Sequence, residues 1–219
     1  MIIEDIFELN IPKEFGLDQD YDDDIDVMYE VYDQLPPHTR TAYGASKFII
    51  FLNEEYIIKL PFNGEFVWCE EEDCSEFYPY KTKDYCEIEA SLYHDAVVAG
   101  VADCFAETKY IGKTASGTPV YKSERVNEFY NDYDNKINTK SPEPSEEVKS
   151  KAACKLKYNN NFSIPKEWLA RAIDFYGEDL VDKLIKFIKE NKINDLTIPN
   201  VGFRADGAPV ILDYSGFRD

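Results

Sequence analysis

Much of what catalytic and structural motifs are built from is scarce in this sequence. Histidine occurs only at His38 and His94, so a mechanism centred on imidazole has almost nothing to rest on. Basic residues are outnumbered, 24 against 43 acids, and the formal charge is −19. That balance opposes adventitious binding to DNA, RNA or an anionic membrane, although a pocket can still be locally basic. Apolar runs fall well short of the roughly eighteen residues needed to cross a bilayer. The start, "MIIEDIFELNIPKEF", turns acidic at once and lacks the basic-then-apolar order of an export signal. The five cysteines are scattered, and the one close pair, Cys69 and Cys74 in "CEEEDC", has no second pair to complete a zinc site. Free thiols in a reducing cytosol are the expectation, hence a cytoplasmic protein. No Gly-x-Ser-x-Gly elbow is present, and "YSGF" does not substitute for one. The run "DQDYDDD" fails as a calcium loop: counted from Asp18, Asp23 stands where a glycine is required and Tyr29 where a glutamate is. It reads as a solvated acidic surface.

What is present is a globular composition. Apolar residues make up 44% and aromatics 15%, far too rich for a disordered chain. The sixteen tyrosines and fourteen phenylalanines suit core and interface use better than base stacking, given the charge. Up to about Pro37 we expect an acidic extension with a short helix over 24–35, where Val27, Val31 and Leu35 recur four apart before Pro36-Pro37. Phe48–Leu52 and Tyr56–Leu60 read as two antiparallel strands around Asn53-Glu54-Glu55. The following "EFVWCEEEDCSEFYPY" reads as an irregular surface excursion. Amphipathic spacing predicts a long helix over 84–108, with its last turns complicated by Gly100. Two short strands surround "TASGTP", and 137–151 is expected to be an exposed loop. A helix capped by Ser163 and ended by Gly177, a second helix over "EDLVDKLIKFIKEN", and a terminal hairpin around Ala205-Asp206-Gly207 complete the chain. The fold class is thus α+β, in three stretches: 1–37, a sheet-and-helix region over 38–126, and a mainly helical region over 127–219.

The candidate chemistry lies in "NDLTIPNVGFRADGAPVILDYSGFRD". Asp195 and Asn200 share one loop, and the apolar strand "PVIL" delivers Asp213 to its end. Two acids and an amide meeting there would suit a divalent cation and an attacking hydroxyl in phosphoryl transfer. They would equally suit a cap, a turn and a held backbone N–H. Upstream, Lys59 is awkward on the apolar strand "YIIK" unless paired, and Glu89 on the long helix is its candidate partner. Such a pair would hold an ammonium against nucleotide phosphates, or stabilise the region with no ligand at all.

In these features the chain resembles the protein-kinase-like fold, which includes the aminoglycoside and choline phosphotransferases. The family's strand lysine is matched by Lys59 in "EEYIIKLPF" and its helix glutamate by Glu89 in "CEIEASLY". "DLTIPN" resembles its catalytic loop, which implies Asp195 as the catalytic aspartate and Asn200 as a metal ligand. Asp213 in "VILDYSG" matches the second metal ligand. "PVYKSERV" resembles the connection between lobes, where Ser123–Arg125 would meet an adenine ring, and Gly44 in "YGAS" is the single candidate for the phosphate-covering loop.

The departures are equally specific. Ile193 and Asn194 replace the usual His-Arg, Tyr214 and Ser215 replace Phe-Gly, and the sequence ends at Asp219 with nothing to build an activation segment. The resemblance therefore implies a two-lobe fold with a small antiparallel sheet, one long helix and a truncated helical second lobe ending in a hairpin. Two functions follow. One is a pseudokinase-like interaction protein that turns its acidic surface to a basic protein partner, without direct nucleic acid or membrane contact. The other is a phosphotransferase that uses ATP and Mg²⁺ on a small or unusual acceptor. A chain with no cofactor stands level with one that binds ATP.

Overall fold

The computed structural model describes residues 2–18, 26–44, 46–69, 74–80, 84–130, 136–158 and 163–215. Most of the acid run from Asp18 to Asp26 lies outside the described residues, as does the tip of "CEEEDC". The architecture is mixed α+β, with strands concentrated in the N-terminal region and helices in the C-terminal region. It divides into two compact units, each made of two stretches of chain: 1–90 with 108–124, and 91–107 with 125–219.

The first unit opens with helix α1 (Ile3–Phe7), strand β1 (Gly16–Asp18) and helix α2 (Asp26–Tyr32). Strands β2 (Thr41–Tyr43), β3 (Lys47–Phe51) and β4 (Tyr56–Pro61) then form a meander. The β-branched and aromatic runs of β3 and β4 pair as expected, with Asn53 Oδ1 accepting the backbone N–H groups of Glu55 and Tyr56 to close the turn. The stretch expected to be irregular is instead a hairpin, β5 (Gly64–Cys69) and β6 (Cys74–Pro79), with β1 added in parallel to β5. Most of its residues are half-buried on both faces, so the alternation that betrays a strand is blurred. Helix α3 (Tyr85–Ala99) follows, and β7 (Thr108–Lys113) and β8 (Pro119–Glu124) complete a five-stranded antiparallel sheet in the order β2-β3-β4-β8-β7. The predicted helix over 84–108 stops early because Gly100 takes φ +70, a left-handed conformation that ends α3.

Directly paired residues share a face of a sheet, so the register sorts the side chains. Phe48, Ile50, Ile58, Leu60 and Val120 lie on one face and enter the core cluster. The N-terminal segment, expected to be an extension, supplies the other half of that cluster: Ile6, Leu9, Ile11, Phe15, Met28, Val31 and Leu35 are all buried in it. Phe15 meets Phe48 and Phe62 edge to face, with centroids 6.0 and 5.0 Å apart. Its acids hide this role in the sequence, because the buried positions are interleaved with charged ones.

The second unit holds a 3₁₀ turn (Ala102–Cys104), strand β9 (Asn127–Glu128), helices α4 (Glu146–Lys157), α5 (Lys166–Tyr176) and α6 (Glu178–Glu190), a second 3₁₀ turn (Ile198–Asn200) and the strands β10 (Val201–Phe203) and β11 (Pro209–Ile211). Helix α4 begins inside the stretch expected to be a loop. Ser145 caps it, accepting the Val148 N–H at 3.3 Å, while Glu146 and Glu147 sit in its first turn and Lys155 and Lys157 in its last. Ser163 does not cap α5, whose N-cap position is Pro165. Its hydroxyl instead donates to the Asn194 carbonyl and accepts the Leu196 N–H, both at 3.1 Å. Gly177, at φ +83, ends α5 and lets α6 start at once. Trp168 is fully buried and donates its indole N–H to the Gly202 carbonyl at 3.2 Å, which ties α5 to the terminal hairpin.

Candidate functional site

Two groups of candidate residues emerge, one in each unit. In the first unit Lys59 sits in β4, the middle strand of the sheet, flanked by Ile49 on β3 and Tyr121 on β8. Its face is the one opposite the apolar core. Glu89 on α3 is completely buried, and its Oε2 accepts from the Lys59 ammonium at 2.5 Å. Its other oxygen, Oε1, accepts from Lys47 at the head of β3. Both lysines are only 3% exposed, so two ammonium groups share one carboxylate in a nearly dry setting. Lys47 was absent from the sequence expectations. Its place comes from the register: Lys47 shares a face with Ile49, and Ile49 pairs with Lys59.

The helix that carries Glu89 is pinned at its start. Asp84 caps α3 by accepting the Glu87 N–H on Oδ1, and it accepts the Tyr121 hydroxyl on Oδ2 at 2.9 Å. Burial pushes the Asp84 carboxyl above its usual value, against the Glu87, Tyr121 and Cys86 donors that pull it down. Burial also raises the Tyr121 hydroxyl, helped by the adjacent Asp84 charge. Cys86, one turn before Glu89, is fully buried beside the two lysines and the glutamate, and desolvation raises its thiol strongly.

Gly44 lies in the tight turn before β3, where its N–H donates to the Lys47 carbonyl at 3.1 Å. A Cβ there would meet nothing within 4 Å. Ser123 lies inside β8, between Ile57 and Thr108, and its hydroxyl is 2.9 Å from that of Thr108. Arg125 follows the end of β8 and is half-buried.

In the second unit the tail residues are drawn together by local bonds. Leu196 is buried and anchors the loop. The Asn200 side-chain amide donates to the Asp195 carbonyl at 2.9 Å, and Thr197 donates its hydroxyl to the Asp195 carboxylate at 3.3 Å. The Asn200 carbonyl accepts the Leu212 N–H at 2.8 Å, so Asp213 follows directly on a residue bonded to Asn200. Asp213 is half-buried and accepts the Ser215 hydroxyl at 3.1 Å. Tyr214 is fully buried, donates to the Ala106 carbonyl at 2.9 Å and packs edge to face on Phe105. These bonds are ones a purely structural loop would make.

Among the described residues, no three His, Cys, Asp or Glu side chains form a group able to hold a metal ion. The tail set offers two carboxylates and an amide, which suits a hard cation that takes its remaining oxygens from phosphate and water. A cavity of about 610 Å³ in the second unit is lined by Lys136, Lys149, Lys166, Arg171 and two glutamates, Glu143 and Glu167, and contains none of the sequence candidates. No helix among the described residues is long and apolar enough to cross a membrane. No family model matches the sequence, and no curated protein is a significant match.

Proposed function

We propose that this chain is a kinase-like nucleotide-binding protein whose ligand is ATP with Mg²⁺. The observation that carries this reading is the buried Lys59–Glu89 pair, formed between the middle strand of a five-stranded antiparallel sheet and the next helix. It is the pair that the resemblance to the kinase-like fold implies. A strand ammonium held by a helix carboxylate is a fixed point charge for a phosphate oxygen.

In the tail, Asn200 spends its amide nitrogen on Asp195, which leaves the amide oxygen as its ligand end. That oxygen and the Asp213 carboxylate are the two groups that would hold Mg²⁺. The cation would neutralise the phosphate charge that a chain of net −19 otherwise repels. Asp195 keeps its carboxylate near the hydroxyl of Thr197 and is the group positioned to orient an acceptor hydroxyl, if the protein transfers phosphate. Thermal shift with ATP, with and without Mg²⁺ or Mn²⁺, tests the reading. Mg-ATP raises the melting temperature of the wild type, and Asp213→Asn removes that rise without moving the ligand-free melt. An Asp213→Asn protein that binds Mg-ATP like the wild type overturns it.

A second role is favoured by the charge alone. An excess of 43 acids over 24 bases supports docking to a protein with a basic surface, with the nucleotide scaffold serving as a pseudokinase platform. Such a complex weakens steeply between about 0.05 and about 0.5 M salt. A complex indifferent to salt counts against it.

A further inference from the structure

We infer that the cavity of about 610 Å³ in the second unit is a binding site for a small phosphate monoester. The inference is independent of the nucleotide reading, none of whose residues line this cavity. Four cations line it, Lys136, Lys149, Lys166 and Arg171, against two carboxylates, Glu143 and Glu167. The whole chain carries 24 bases and 43 acids, so the lining reverses the ratio. A neighbouring cavity of about 330 Å³ shares Lys136 and Ile137 and adds Lys140 and Arg204, with no acid among its lining residues. In a chain of net −19, a local excess of positive charge draws an anion to one place and away from the rest of the surface.

The cations differ in what already holds them. Lys149 is engaged by Glu143 at 2.5 Å and Glu146 at 2.8 Å, so it adds potential more than contact. Lys166, exposed at the start of α5, makes no ion pair among the described residues, and neither does Arg171 further along the same helix. Arg171 donates its Nη1 to the carbonyls of Ser141 and Pro142 at 3.1 and 2.9 Å. Those bonds fix the guanidinium against the segment before α4 without neutralising it. Its Nε is buried with no hydrogen-bond partner, the one such side-chain atom among the described residues. Native structures leave few buried donors unmatched. A guanidinium that is anchored but neither charge-paired nor fully bonded, beside an unpaired lysine, is a donor set for a tetrahedral oxyanion. Ile137, Pro144 and Ala170 add an apolar wall. The volume lies in the range of pockets that enclose a small organic molecule, ~300–1,000 Å³, so the phosphate carries an organic body.

Calorimetric titration of the full chain with phenyl phosphate, inorganic phosphate and phenol tests this. Metal-free buffer removes the Mg²⁺ on which the nucleotide reading depends. Phenyl phosphate is expected to bind, inorganic phosphate more weakly and phenol not at all. Lys166→Gln changes an exposed residue, and is expected to weaken phenyl phosphate roughly tenfold, the scale of one charge-assisted hydrogen bond, without moving the melting temperature. Arg171→Gln is expected to weaken it further. Glu167→Gln, which removes a carboxylate from the lining, is expected to strengthen it, and Asp213→Asn to leave it unchanged.

A wild-type chain that binds no phenyl phosphate overturns the inference. So does binding indifferent to Lys166→Gln, which would put the phosphate elsewhere on the chain. A Glu167→Gln protein that binds no more tightly than the wild type also overturns it, because an anion site must answer in opposite directions to charges of opposite sign. Inorganic phosphate that binds as tightly as the ester rules out the organic body. Loss of phenyl phosphate binding in Asp213→Asn would move the ligand to the tail, overturning this inference while the nucleotide reading stands.

Discussion

On one face of the five-stranded sheet Phe48, Ile50, Ile58, Leu60 and Val120 pack against a layer built from the first 35 residues. On the other face Lys47 and Lys59 meet Glu89, and Tyr121 meets Asp84. Both faces are dry: Ile58 is 0% exposed and its neighbour Lys59 is 3% exposed. Burial therefore does not tell them apart. Chemistry does, because an apolar face gains free energy from every area removed from water, whereas a charged one must recover its desolvation through pairing. The middle strand β4 is thus buried on both sides, with Ile58 and Leu60 on the apolar face and Lys59 on the charged one.

The contrast can be broken most forcefully from the apolar side. Deleting residues 1–15 removes Ile6, Leu9, Ile11 and Phe15, each worth about 1.5–3 kcal/mol when buried. Their sum rivals the whole stability of a typical domain, ~5–15 kcal/mol, so the truncated chain should show no cooperative unfolding transition in urea. A truncated chain that still melts sharply would mean the N-terminal layer is dispensable. Phe48→Ala on the same face should cost about 3–5 kcal/mol, read as a shift of the urea midpoint, because it empties a position packed by Phe15 and Tyr32. Lys59→Met on the opposite face should behave differently. Glu89 keeps Lys47 as a partner, so stability falls by no more than about 1–2 kcal/mol, while Mg-ATP binding drops measurably. If Lys59→Met destabilises as much as Phe48→Ala, the polar face is structural and the contrast dissolves.

Smaller effects sharpen the same comparison. Tyr121→Phe removes the hydroxyl that donates to Asp84 and should cost about 1 kcal/mol at neutral pH. Burial holds the folded Asp84 carboxyl above its unfolded value, so the folded state takes up this proton more readily than the unfolded state does. The contribution of Asp84 to stability is therefore best at low pH and declines as pH rises through the raised value. Because the Tyr121 hydroxyl favours the ionised form, the Tyr121→Phe deficit should shrink as the pH is lowered and Asp84 protonates; urea melts across pH 4 to 7 check this. A deficit that is flat with pH would show that the hydroxyl does not bear on the carboxylate. The smallest signal is chemical. Cys86 and Cys104 are buried and their thiols raised, Cys104 to about 12, so neither should react with a thiol reagent until the protein unfolds, whereas exposed Cys154 should react at once.

Legibility in the sequence followed the strength of each local signal. The strands β3 and β4 and the terminal hairpin were evident from their isoleucine-rich or turn-flanked runs, and Gly177 marked the boundary of α5. Helix α4 was hidden because its stabilisation comes from a cap and from ion pairs such as Lys151 with Glu147, rather than from an apolar stripe. The β5–β6 hairpin was hidden because partly buried strands have no clean period. Of the candidate site, Lys59 and Glu89 stood out because a lysine in the middle of an apolar strand demands a partner. Lys47 did not, since a lysine at the head of a strand normally reaches water. Only the cross-strand register shows that this one turns inward. Asp195, Asn200 and Asp213 were suggested by spacing; the bonds found here, from the Asn200 amide to the Asp195 backbone and from the Leu212 N–H to the Asn200 carbonyl, depend on how the tail folds back on itself.

Neither unit is one unbroken length of polypeptide: residues 91–107 belong with 125–219, while 108–124 return to the first. Ala106 shows what this entails, giving its N–H to the Ile211 carbonyl and taking the Tyr214 hydroxyl on its own. A gene divided after Glu124 would leave Ala106 on one product and both its correspondents on the other. The molecule should therefore resist being expressed as halves, yet two such products made together could recognise one another and reassemble.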